Sequence, residues 1–66
     1  MSGAEWRAAE MLELFRTMRT PDLVTFRAAL RLDAERGDAH TRAFCARRLD
    51  AIAVVLRERG EWDGTV

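Results

Sequence analysis

Thr20-Pro21-Asp22-Leu23-Val24-Thr25-Phe26-Arg27-Ala28-Ala29-Leu30-Arg31-Leu32-Asp33-Ala34-Glu35-Arg36-Gly37-Asp38 is the stretch that decides the fold of this 66-residue chain. Thr20 is a good helix N-cap, Pro21 loses nothing in a first turn where its N–H would have no partner, and Asp22 complements the positive end of the helix dipole. Gly37 is a natural stop, and Asp38 can cap whatever follows. The two ends cut the chain into three segments, each with apolar residues at helical spacing. They predict an all-α, three-helix bundle with helices at about 3–19, 21–36 and 39–59, a single domain over 1–66, and a short irregular tail at 60–66.

Placed at ~100° per residue, the middle segment shows two apolar rows. Leu23, Phe26, Leu30 and Ala34 share one side; Val24, Ala28 and Leu32 lie nearly opposite. Arg27 and Arg31 separate the rows on one flank, with Asp33, Arg36, Thr25 and Ala29 on the other. A helix that only lies on a core needs one row. The second row either meets a neighbouring helix of the same chain, which makes this the middle helix, or meets another molecule. Spacing at i, i+4 and i+8 forms a ridge suited to crossing a helix, and Ala28 at its centre lets two backbones approach.

The first segment opens with a possible capping box, Ser2 with Glu5. Ala4, Ala8, Met11, Leu12, Phe15 and Met18 gather on one face, Leu14 sits at its edge, and Glu10, Glu13 and Arg16 point away. Trp6 falls on the polar side, so it is either covered by another part of the chain or an anchor for a partner, a role in which tryptophan is enriched. In the third segment Cys45, Leu49, Ile52 and Leu56 form the main stripe. Phe44, Ala51 and Val55 form a second line and Val54 is displaced again, so Ala51 to Leu56 is apolar nearly all round and calls for burial on most sides. Gly60 ends this helix. In the aperiodic tail, Trp62 is the candidate for docking, on the chain's own helices or on a second molecule.

Composition narrows the function. Hydrophobic residues at 48% and charged ones at 33% describe a folded domain rather than a disordered tail. A chain this short buries only roughly 60% of the surface its unfolded form exposes, so partners are plausible on stability grounds alone. No apolar run approaches a membrane span, and no basic start precedes an apolar stretch as in a signal peptide, so the reading is cytoplasmic. Eleven arginines face eleven acids. The signs also balance by segment: three and three in 1–20, three and three in 21–37, five and five in 38–66. A nucleic-acid binder normally carries a basic face or arm, and none is visible.

Catalytic or metal chemistry finds no constellation in the sequence, and no cofactor is implied. His40 is the one histidine and Cys45 the one cysteine; five positions apart on one helix, they differ by ~140° and do not readily form a base and nucleophile pair. Cys45 reads as a small hydrophobe in a helical stripe.

Two functional classes follow. The favoured one is a small non-enzymatic protein–protein interaction module, homodimeric, with Val24, Ala28 and Leu32 at the interface, Arg27 and Arg31 at its rim, and Trp6 and Trp62 as further contacts; a regulator that binds and masks a larger protein fits this class. The alternative is a helix-turn-helix DNA reader built from the 21–36 and 39–59 helices, with His40, Thr41 and Arg42 at the start of the recognition helix. Asp33, four positions before the turn glycine where that motif places a small buried residue, and the neutral charge balance weigh against it.

Overall fold

Both punctuation points act as chain breaks. A computed structural model describes residues 3–62 and 64, with side chains from residue 8 onward, and shows α1 (Gly3–Arg16), α2 (Thr20–Arg36) and α3 (Ala39–Glu58). The all-α three-helix expectation is met. The Ser2–Glu5 capping box and the Trp6 side chain lie outside the described residues.

Each helix end has a local cause. α1 stops at Arg16 rather than Arg19, because its last turn tightens through Thr17 N–H to Leu14 O and Met18 N–H to Phe15 O, both 3.1 Å. At α2, Arg19 rather than Thr20 is the N-cap residue, and no side chain caps that end. Thr20 is already helical and its hydroxyl accepts from Arg59 across the molecule, at 3.0 Å. Asp38 caps α3 as its position predicts, accepting from the Thr41 N–H at 2.9 Å. That bond favours the ionised carboxylate and holds Asp38 below the ordinary carboxylate range.

The two helix-ending glycines do different work. Gly60 is the left-handed residue, φ 70°. With Gly60 N–H on Arg57 O at 3.0 Å and Glu61 N–H on Leu56 O at 2.8 Å, it completes a Schellman motif that turns the chain back toward the helices. Gly37 is extended, φ −86° and ψ 170°, so no backbone strain requires glycine there. Space does: a Cβ at Gly37 would overlap the Thr41 side chain and come within 3.0 Å of the Asp33 carbonyl oxygen.

The middle element is α3, not α2. Both other helices pack against it and scarcely meet each other, apart from an edge-to-face contact of Phe15 with Phe26, ring centroids 5.7 Å apart. The all-round apolar segment of α3 explains this. Ala51, Ile52, Val55 and Leu56 are buried, with Cys45 on the same helix, and Phe15 of α1 and Leu23 and Leu30 of α2 close over them. The result is a slab with extents of 32 × 31 × 17 Å. Its thin dimension holds two helices at their usual 8–10 Å separation and no third layer. A radius of gyration of 12.0 Å against the about 11 Å of a compact chain this long agrees with that shape.

One side chain locks the arrangement. Arg59, just past α3, donates to the carbonyl oxygens of Met18 at 2.7 Å and Arg16 at 3.0 Å, with Phe15 O at 3.5 Å, as well as to Thr20 Oγ1. A cation on the carbonyl end of α1 opposes the negative pole of that helix while satisfying acceptors the helix cannot satisfy itself. Arg16 and Glu58 add an ion pair at 3.2 Å beside it, half-exposed and therefore of small weight.

Arg59→Ala should lower unfolding free energy in urea by about 2 kcal/mol, the range for hydrogen bonds to a charged group. Arg59→Lys should recover less than half, because an ammonium lacks the planar fork; full recovery would show that charge alone matters. Gly37→Ala should cost about 1–3 kcal/mol by overpacking against Thr41, checked by the same denaturation.

Candidate interaction surface

The two rows of α2 part as their spacing predicts. Leu23 and Leu30 are buried and Phe26 and Ala34 partly so, while Val24 is 38% exposed, Leu32 44% exposed, and Ala28 between them exposed. The alternative in which both rows serve neighbours within the chain does not hold. Among the described residues the outer row of α2 stays open to water. What remains is an apolar ridge one residue wide and two turns long.

The two residues expected at its rim differ in burial. Arg31 is partly exposed beside the ridge, but Arg27 is buried, 6% exposed. In the helical pattern Arg27 counts as polar, yet its position places the aliphatic stem along the α2–α3 seam, and the Trp62 ring covers the guanidinium, 5.9 Å from its centroid. Arg27 is therefore a seam residue and not an interface rim.

Trp62 is accounted for within the chain. After the turn at Gly60 it packs against the core, partly buried, with the Arg57 guanidinium 4.8 Å from its ring centroid. Such cation–π contacts are worth about 0.5–1 kcal/mol each where exposed. Its assignment as an intermolecular contact is thus replaced by an intramolecular one.

Three further apolar side chains are exposed: Leu14 at 60%, at the edge of the α1 face, and, against the expected burial of the second α3 line and of the Ala51–Leu56 run, Phe44 at 47% and Val54 at 41%. Leu14 edges a shallow depression with Glu10, Met11, Phe26 and Arg48. Phe44 is screened on one face by Arg48, whose guanidinium carbon lies 3.4 Å from the ring centroid and which donates to Phe44 O at 3.1 Å. The off-stripe positions of Leu14 and Val54 in the helical wheel were the signal for their exposure.

Of the residues named for the DNA-reading alternative, His40 and Arg42 are exposed on the first turn of α3, whereas Thr41 is tucked against Gly37 with its N–H on Asp38. His40 and Cys45 do not share an environment, since the Cys45 thiol is buried in the core. No helix among the described residues is long and apolar enough to cross a membrane. The chain matches no family model, no curated protein and no solved structure.

Proposed function

We propose that this chain is a non-enzymatic interaction module that pairs with a second copy of itself through the outer ridge of α2. The observation that carries the reading is the exposure of Val24, Ala28 and Leu32 on a helix whose opposite face packs on the core through Leu23 and Leu30. A ridge of this spacing with alanine at its midpoint suits a two-fold axis through Ala28, which sets Val24 of one copy against Leu32 of the other. A standard interface takes about 800 Å² from each partner, a large share of the 4826 Å² this molecule exposes. The ridge is therefore the centre of the patch, and Thr25, Arg31 and Glu35, polar and at least partly exposed around it, form its rim. Arg31 and Glu35 set register more than affinity. A homodimer of this kind is also a platform for regulating a larger protein.

The helix-turn-helix alternative draws no support from a basic field, because every segment is electrically balanced.

Light scattering over a concentration series tests the proposal. Wild type should weigh as a dimer, and Val24→Arg and Leu32→Glu should each give folded monomers, because both positions tolerate water in the single chain and a surface change costs within about 0.5 kcal/mol. A wild type that stays monomeric at millimolar concentration removes the interface.

A further inference from the structure

The three helices are anchored unequally. Five residues of α3 and three of α2 are buried. Among the described side chains of α1, Phe15 alone is buried, with Met11 and Leu12 partly so. The flank that α1 covers follows from contacts along its length. Arg48, Ala51, Val55 and Glu58 form one row on α3 at helical spacing. Arg48 borders a depression with Glu10, Met11 and Leu14, and Glu58 pairs with Arg16. Ala51 and Val55, both buried, lie between those two contacts, so α1 runs over them.

The connection from α1 to α2 is built as a pivot. Thr17 and Met18 bond back to α1 through Leu14 O and Phe15 O, whereas the Arg19 carbonyl already accepts from the Leu23 N–H of α2 at 3.0 Å. Arg19 itself is extended, φ −74° and ψ 151°. One residue therefore divides a body that belongs to α1 from a body that belongs to α2. Arg59 spans the same division from the side. Three of its acceptors, the carbonyl oxygens of Phe15, Arg16 and Met18, lie on the α1 body, and the fourth, Thr20 Oγ1, lies on α2.

We infer that α1 is a latched lid: it leaves α3 as a unit about Arg19, with Arg59 as the latch, while α2 and α3 stay paired and the apolar flank at Ala51 and Val55 is uncovered. Release gives up the Arg59 bonds to three carbonyls, the Arg16–Glu58 pair and the burial of Phe15. Separating α2 from α3 gives up more, because Leu23, Arg27 and Leu30 are all buried. The smaller loss sets the more frequent opening. A hinge confined to one residue at an element's end is a common form of such motion. The inference does not rest on self-pairing by α2, because Val24, Ala28 and Leu32 stay on the part that remains folded.

Native-state amide hydrogen exchange on the full-length protein, read residue by residue by NMR, tests the lid. A released helix of 14 residues is marginal in water, so the Phe15 and Arg16 amides report its opening. In wild type they should exchange through an opening at least about ten-fold more populated than the one that frees the slowest amides of α2 and α3. Arg59→Ala removes the latch and should speed Phe15 and Arg16 exchange about 30-fold, the equilibrium equivalent of losing hydrogen bonds to a charged group. Gly37→Ala strains the α2–α3 turn, which the open state keeps. It should speed the slowest α2 and α3 amides about ten-fold and leave Phe15 and Arg16 unchanged. If Gly37→Ala speeds the α1 amides by the same factor, all exchange passes through one global unfolding and the lid is overturned. Unchanged Phe15 exchange in folded Arg59→Ala refutes the latch. A wild type whose α1 amides match or outlast those of α2 and α3 overturns the proposal even if neither variant folds. Separate α1 exchange in a monomeric protein would sink only the α2 reading, and uniform exchange in a dimer only this one.

Discussion

Everything in this structure follows from one helix being shared by two. α3 carries more apolar surface than a single neighbour can cover, so α1 and α2 both pack on it and meet each other far less. Burial on that helix provides the non-directional part of stability. The Arg59 guanidinium provides the directional part, holding the α1–α2 turn and the end of α3 in one hydrogen-bonded cluster. Because α1 and α2 barely touch, a substitution that loosens this cluster should be felt by the placement of α1 more than by the α2–α3 pair. The chain is small enough that such a contact is a sizeable fraction of its net stability.

The same geometry leaves the outer side of α2 in water. A three-helix arrangement in which each helix touched both others would also have covered more of each. Here the second apolar row of α2 stays exposed among the described residues. Sharing α3 therefore links the folding problem to the proposed function: the helix that supplies the core's surplus is also what keeps α2 at an edge.

Much of this was legible in the residues. Proline and capping chemistry near Thr20, the Gly37-Asp38 break and the Gly60 stop placed the helices, and the wheel separated Leu23 and Leu30 from Val24 and Leu32 correctly. Cys45 in the core followed from its stripe. What periodicity cannot supply is which helix neighbours which. It reports faces and not partners, so α2 and α3 were equally eligible for the middle. Arg27 was misread because a wheel scores arginine by its charge, whereas its stem and stacking plane suit a seam under Trp62. Thr20 was misread as a cap because its real partner, Arg59, lies 39 residues away. Arg59 itself drew no notice, since a helix-terminal arginine at that position has many local uses and its carbonyl acceptors come from a turn that only tertiary structure brings near. Leu14 and Val54 stood off the main stripes, whereas Phe44 was placed in a second apolar line and its exposure was not legible.

The account's central claim is that the α2 ridge meets its own counterpart. Isotope-filtered NOE spectroscopy on a mixture of methyl-labelled and unlabelled protein reads this directly, because it reports only contacts between copies. The account predicts cross-peaks joining the methyls of Val24 in one copy to those of Leu32 in the other. Intermolecular contacts confined to other residues, or none at concentrations where the protein is dimeric, would contradict it.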